Sequence, residues 1–203
     1  MHRDLVLATR NRHKGNELAS LLADLPVRIR TMDEFPDVPD VVEDGDTCRA
    51  NASKKARAIA NHTNLVAVAD DTGLEVEALG GRPGVYAARY AGEDATYEDN
   101  CRKLIDELRH TRGQDRRARF ITAVAIARPS SNDVETVEGY LDGIIAEHPV
   151  GTEGFGYDPI FFVPELGKTL AELSSTEKNR ISHRAQAFAK AQIILRRLAA
   201  GGP

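Results

Sequence analysis

Leu65-Val66-Ala67-Val68-Ala69 runs straight into Asp70-Asp71-Thr72-Gly73. A short, continuous apolar run ended by turn-forming residues reads as a strand covered on both faces. The strand is expected to stop at Asp70. Upstream, Leu5-Val6-Leu7-Ala8 has the same character. Between the two, Glu17 to Leu25 reads as a helix with Leu18, Leu21, Leu22 and Leu25 on one face. Pro26 ends it, and Val27 to Thr31 reads as a strand. Thr47 to Ala60 reads as a second helix, with Ala52, Ala56, Ile59 and Ala60 sharing a face. Strand and helix thus alternate in a βαβαβ order, which calls for a sheet layered by helices.

Further along, Gly80 to Gly84 reads as a loop and Tyr97 to Leu108 as a helix. Ala118 to Ala127 and Val134 to Glu147 flank the turn Pro129-Ser130-Ser131-Asn132-Asp133 and read as a long hairpin. Gly139 and Gly143 in its second arm point to a bulge or bend. Gly151 to Pro164 reads as a loop entering a short strand. From Thr176 onward the tail reads as helical, carrying Ala185, Phe188, Ala191, Leu195 and Leu198 on a stripe. The fold class is α/β or mixed α+β. The chain has 203 residues, which suits one compact domain or one domain in two lobes.

Composition narrows the function. Hydrophobic residues make up 41% and charged residues 29%, so a packed core is affordable and global disorder is not expected. No apolar run approaches the roughly 20 residues a membrane helix requires. The start, Met1-His2-Arg3-Asp4, lacks the apolar core of a secretory signal, and a cytoplasmic protein is expected. The net charge of −4 argues against a general nucleic-acid binder. Arg109, Arg112, Arg116, Arg117 and Arg119 form a local basic run that reads as a solvated loop, with nucleic-acid contact as the weaker reading. Cys48 and Cys101 make neither a disulfide framework nor a zinc spacing.

Four segments can carry chemistry. Thr9-Arg10-Asn11-Arg12-His13-Lys14 lies where an apolar strand meets a helix. Backbone N–H groups and the dipole at a helix start favour an anion, and Lys14 adds a point charge. The other reading makes Thr9 or Asn11 a helix cap and Lys14 a surface residue. Asp70-Asp71 at the end of a buried run is costly unless a cation or many hydrogen bonds compensate. Mg²⁺ suits such a pair because it takes oxygen ligands and bridges to phosphates, and Glu43 in the acidic stretch is a third carboxylate. A plain Asp-Asp-Thr-Gly turn is the alternative. Phe155-Gly156-Tyr157-Asp158 offers an aromatic face for a planar base, or a core aromatic in a tight loop. Lys178 with Ser182-His183-Arg184 gathers donors at a helix start, or forms a capped, solvated one. Neither a Walker loop, a dinucleotide fingerprint nor a nucleophile elbow is present.

These segments, with Pro83-Gly84-Val85-Tyr86 and Ala88-Arg89-Tyr90, occur in an order that resembles the inosine triphosphate pyrophosphatase family, the XTP/dITP diphosphatases. The likeness runs from about residue 5 to residue 198. Two positions depart from the family pattern. Arg10 stands where a small residue is common, and Ala50 where Glu often precedes the Asn. The resemblance implies one domain over residues 1–203, a two-lobed α/β fold with a long central mixed sheet flanked by helices, a cleft between the lobes, and a homodimer. It implies hydrolysis of ITP, dITP and XTP to the monophosphate and pyrophosphate with Mg²⁺, and no nucleic-acid or membrane partner. Carried over by position, Thr9, Arg10, Asn11, Arg12, His13 and Lys14 hold the triphosphate. Asp71 is the proton acceptor and a metal ligand. Glu43 and Asp70 complete the metal set, and Thr72, Phe155, Gly156, Tyr157, Asp158, Lys178, His183 and Arg184 contact the nucleotide. A sensing module that binds nucleotide without hydrolysis, and a pyrophosphatase for other bases, are the competing readings.

Overall fold

A computed structural model describes residues 3–200. Met1 and His2, read above as leading into the first strand, lie outside the described residues. The chain runs β1 (Arg3–Leu7), α1 (Arg12–Leu21), β2 (Val27–Thr31), α2 (Cys48–Thr63), β3 (Val66–Val76), β4 (Pro83–Gly84), α3 (Tyr97–Glu107), β5 (Arg117–Ala127), β6 (Val134–Ile145), β7 (Phe161–Val163), β8 (Lys168–Thr169), α4 (Ser175–Ile181) and α5 (His183–Ala199). The strands make a mixed sheet in the order β2-β1-β3-β5-β6-β7-β8, with β4 on β3. β1 pairs in parallel with β2 and with β3, as the βαβαβ reading requires. The pairs β3–β4, β6–β7 and β7–β8 are antiparallel. Among the described residues no helix is long and apolar enough to cross a membrane.

The chain divides into two compact units. The described residues of Met1–Asp71, Thr122–Gly139 and Arg184–Pro203 form the first. Its core joins Leu5 and Leu7 of β1, Leu18 and Leu22 from the α1 segment, Val68 of β3 and Phe188, Ala191, Leu195 and Leu198 of α5. All of Leu5, Val6, Leu7 and Ala8 are buried, which is the double-sided burial their unbroken apolar run demands. The second unit holds Thr72–Ile121 and Tyr140–His183. Its core gathers Leu74, Leu104, Phe120, Ile145 and Phe161. α3 starts at a capping box between Thr96 and Asp99.

Three expectations need correction, and a fourth, the helical tail, is refined. β3 does not stop at Asp70 but continues through Asp71, Thr72 and Gly73 to Val76. Leu74 and Val76 are fully buried on alternate positions, and Leu74 and Glu75 pair with β4. Extending the pleat buries both apolar side chains, and this pairing outweighs local turn preference. Helix α1 begins at Arg12 and ends at Leu21, because Asn11 caps it earlier than the apolar stripe indicated. The tail is two helices, interrupted where Ser182 is extended at φ −62°, ψ 148°. The arginine run is not one solvated loop. Arg116 is buried and donates to the carbonyls of Leu108, Thr111, Ile145 and Ala146. Arg117 and Arg119 lie on β5 and pair with Glu77 and Asp142. Arg109 and Arg112 pair with Asp106 and Glu147.

The glycine at 143 answers to close packing. A Cβ there would sit 2.5 Å from the Phe161 ring and 2.6 Å from the Phe162 carbonyl oxygen. Gly143→Ala is therefore expected to lower unfolding stability by about 1–3 kcal/mol through overpacking. A urea midpoint equal to that of the parent would show that β6 and β7 separate at no cost.

Candidate functional site

Two groups of side chains stand out, one in each unit. In the first unit, the step from β1 into α1 places Thr9 to Lys14. The Asn11 side chain accepts from the backbone N–H groups of His13 (3.0 Å) and Lys14 (3.2 Å). Thr9 Oγ1 accepts from the Asn11 N–H. Asn11 is thus the cap, and Arg12, His13 and Lys14 occupy the first helical turn. Lys14 is not a surface residue. Its side chain is 19% exposed and its Nζ lies 3.4 Å from Asp70 Oδ2. Arg10 is engaged elsewhere, donating to the Val38 carbonyl at 2.6 Å and pairing with Asp40 at 3.0 Å. Arg12 and His13 are exposed.

Asp70 and Asp71 are both buried within β3. Asp70 Oδ2 accepts from Arg184 Nε at 3.3 Å, and Arg184 Nη1 donates to Glu17 at 2.6 Å. Asp70 Oδ1 is buried and has no hydrogen-bond partner among the described residues. Burial alone would push Asp70 toward protonation. Lys14, Arg184 and Lys55 outweigh it and hold the carboxyl well below the usual range. Asp71 is the opposite case. Burial raises its pKa, Glu43 adds to the rise, and Lys14, Lys55 and the hydrogen bond from Asn51 only partly oppose it. Asn51 Nδ2 donates to Asp71 Oδ2 at 3.1 Å, and Asn51 Oδ1 accepts from the Gly45 N–H at 2.7 Å. Two adjacent carboxyl groups are thus pushed in opposite directions by their surroundings.

Glu43 pairs with Lys55. Among the described residues, no three His, Cys, Asp or Glu side chains gather as a ready-made metal site. Sequence reasoning missed Asn51, Lys55 and Glu17. The available signals were spacing signals. Asn51 and Lys55 are four apart on α2, and Lys14 and Glu17 three apart on α1, so each pair shares a helix face.

In the second unit, Gly154 and Gly156 take positive φ of 76° and 67° and fold Phe155 to Asp158 into a tight turn. The Asp158 carboxylate accepts from the Phe155 N–H at 2.9 Å and from Lys178 Nζ at 2.6 Å. It also lies where a Cβ on residue 154 would be. Lys178 Nζ stands 5.0 Å from the centre of the Phe155 ring, which is itself 5.9 Å from the Tyr97 ring. Phe155, Asp158 and Lys178 are therefore one cluster, in which a half-buried aromatic face is held by a buried ion pair. Tyr157 is buried with its hydroxyl donating to the Ala87 carbonyl at 2.8 Å. His183 is buried with its ring stacked on Phe120 at 4.5 Å. Thr72 follows Asp71 on β3 and is half-buried. Arg184 lies in the first unit, on Asp70 and Glu17.

The sequence pattern of the Ham1 family matches residues 5–193. A dITP/XTP pyrophosphatase of Geobacter sulfurreducens is 49% identical over 185 residues, which span 91% of this chain and 92% of the relative. One from Geobacillus kaustophilus is 49% identical over 188 residues, spanning 93% and 92%. Among solved structures, a HAM1 protein from Coxiella burnetii superposes with a TM-score of 0.87 at 41% identity, covering 95% of this chain and 98% of that one.

Removing one partner of the buried pair isolates the other. Asp158→Ala leaves the Lys178 ammonium buried and uncompensated and is expected to cost about 3–5 kcal/mol in urea unfolding. A loss below about 1 kcal/mol would mean that the pair is solvated as a surface pair is. Asp70 generates a pH prediction. Its folded pKa lies below the unfolded value of about 3.9, so its stabilisation is complete above that pH and is lost as pH falls through and below it. Unfolding free energy measured between about pH 5 and pH 3 should fall less steeply in Asp70→Asn than in the parent. Equal slopes would mean that Asp70 is not held ionised.

Proposed function

The chain belongs to the Ham1 family, and from that membership we propose that it is a dITP/XTP pyrophosphatase, hydrolysing deaminated purine nucleoside triphosphates (ITP, dITP and XTP) to the monophosphate and pyrophosphate. The observation that carries the reading is the pair Asp70 and Asp71. An ionised carboxylate keeps one buried oxygen without a hydrogen bond among the described residues, beside a carboxyl biased toward taking a proton. A buried anionic oxygen of that kind fits a hard divalent cation. Mg²⁺ commonly uses one or two carboxylates and completes its shell with substrate phosphates and waters. Asp70, Asp71 and Glu43 are the residues that would hold it.

When bound, Mg²⁺ supplies neutralisation of the triphosphate and polarisation of the phosphoryl group under attack. The chain's own residues do the rest. Lys14 and the Thr9 to His13 segment bind the phosphates. Asp71 takes a proton from the attacking water. The new bond forms between that water's oxygen and the α-phosphorus, the α–β anhydride bond breaks, and pyrophosphate leaves with the electron pair. Asn51 supports the orientation of Asp71. In the second unit, the Phe155 ring offers a stacking face, and Thr72, Gly156, Tyr157, Asp158, Lys178 and His183 line the nucleoside contact. A donor presented to the purine 6-position is satisfied by the keto oxygen of hypoxanthine and xanthine and opposed by the amino group of adenine, and such mismatches discriminate by about 10⁴ or more. Arg184 contacts the nucleotide as well, with its Nε and Nη1 engaged by Asp70 and Glu17. The proposal includes a cytoplasmic homodimer in which residues 1–203 act as one functional domain.

A nucleotide panel with pyrophosphate detection tests this directly. XTP, dITP and ITP are expected to be hydrolysed at least about a hundredfold faster than ATP, by kcat/KM. Equal rates across the purines would overturn the assignment. Asp71→Asn should lose about 10²–10⁴ in kcat, the usual contribution of a positioned base, and retained turnover would remove Asp71 from that role. A chelator should stop turnover and added Mg²⁺ restore it.

A further inference from the structure

Glu43 sits on a stretch of chain that belongs to no strand of the sheet, and Arg10 grips one end of that stretch. From Pro39 to Gly45 the chain forms neither helix nor strand. Exposure nevertheless alternates with a period of two. Asp40, Val42, Asp44 and Asp46 are exposed, while Val41, Glu43 and Gly45 are half-buried. That period is the mark of extended backbone. The segment is thus a single ribbon laid along the first unit, with Glu43 turned inward near its middle.

A strand in a sheet takes its register from the ladder beside it, and a slip of one residue exchanges its two faces. This ribbon pairs with no strand among the described residues, so side chains set its register. At the later end α2 supplies them, because Asn51, Lys54 and Lys55 share a helix face. Asn51 Oδ1 accepts from the Gly45 N–H at 2.7 Å, Lys54 pairs with Asp44 at 2.6 Å, and Lys55 pairs with Glu43. At the earlier end stands Arg10. Its Nη2 donates to the Val38 carbonyl at 2.6 Å and its Nε to Asp40 Oδ1 at 3.0 Å. Both donors lie on one edge of a rigid planar fork, so carbonyl and carboxylate are gripped side by side. Val38 is itself fixed, with its side chain buried and its N–H donating to the Phe35 carbonyl at 3.2 Å. The Asp40 pair is exposed and contributes little by itself. The bond to the Val38 carbonyl is the anchor, and it ties the ribbon to the residue that precedes Asn11, the cap of α1.

We propose that Arg10 is a positioning residue: by gripping Val38 and Asp40 it fixes the register of residues 39–45 and thereby where Glu43 stands. This rests on the reading of Glu43 as a residue that would hold the cation, given above. Without the grip the ribbon is held at its later end only. A slip of one residue, about 3.3 Å, turns Glu43 outward and brings Val42 or Asp44 into its place. The Arg10 side chain therefore serves the ribbon rather than the phosphates.

The test uses the full chain and reads the ribbon and the cation separately. Cleavage after Glu43 by a glutamate-specific protease, mapped by mass, reports local opening. Mn²⁺, titrated by electron paramagnetic resonance, reports the cation. Arg10→Ala is expected to speed that cleavage about tenfold, matching the loss of one charge-assisted hydrogen bond, while the urea midpoint stays at the parent value. Mn²⁺ affinity should fall about tenfold, and the Mg²⁺ concentration for half-maximal XTP turnover should rise in step. Affinity for XTP without metal should stay within about twofold, since uniform substrate binding is not what is lost. Glu43→Gln is the second variant and should lower Mn²⁺ affinity at least as much. Unchanged cleavage in Arg10→Ala would overturn the inference. So would a Mn²⁺ affinity that falls in Glu43→Gln but not in Arg10→Ala, or a metal-free XTP affinity that drops as far as the Mn²⁺ affinity, which would make Arg10 a phosphate ligand. If Glu43→Gln leaves Mn²⁺ affinity unchanged, the reading of Glu43 as a cation ligand fails, while faster cleavage in Arg10→Ala still upholds Arg10 as the residue that places the ribbon.

Discussion

An ionised carboxylate with no exposed surface has to be compensated, and Asp70 is compensated by Lys14 and Arg184. Moving such a group out of water costs several kcal/mol even after relaxation. The charge persists only where cations are delivered to it within a few ångströms. One comes from the first turn of α1 and the other from the start of α5, while the carboxylate sits on β3. Three elements far apart in the chain are thus held to one point. The core of the first unit, which packs Leu18 of α1 and Phe188 of α5 against Val68 of β3, is what makes that meeting reproducible.

Asp71 shows how a neighbouring group on the same strand acquires a different character. It is nearly as buried as Asp70, yet the Asn51 amide donates to it and Glu43 stands near enough to oppose its ionisation. Burial then wins and favours the neutral form. The amide that faces it is itself tied to the Gly45 backbone, so the acidic stretch around Glu43 and the start of α2 are linked through one side chain. At Gly45 a Cβ would come within 2.8 Å of Asn51 Oδ1, which explains why a glycine belongs there.

The second unit uses a different device. Asp158 ties its own turn together by accepting from the Phe155 N–H, and the same oxygen receives Lys178. A half-buried aromatic ring is thereby presented on a stiff support. Tyr157, in the same tetrapeptide, has its hydroxyl committed to a backbone carbonyl, so adjacent aromatics do separate jobs.

Periodicity sufficed for the elements whose burial is decided locally. The double-sided strand at Leu5, the hairpin arms flanking Pro129 and the apolar stripe of the last helix were all legible because spacing alone determines which side chains can be buried together. The chain order of its chemical segments was equally legible and carried the family resemblance. What the linear chain could not decide was whether Asp70 ended a strand or stood inside one. Turn chemistry and strand pairing compete there, and the outcome depends on where Leu74 and Val76 find their neighbours. Nor could it decide what Arg184 touches. A guanidinium near the start of a helix is equally suited to a phosphate, a purine edge or a carboxylate, and only the packing of α1 and β3 beside α5 put two acids within its reach. Charge pairing across 167 residues is a property of the folded chain, since Coulomb attraction acts over a few ångströms and has no counterpart in sequence distance.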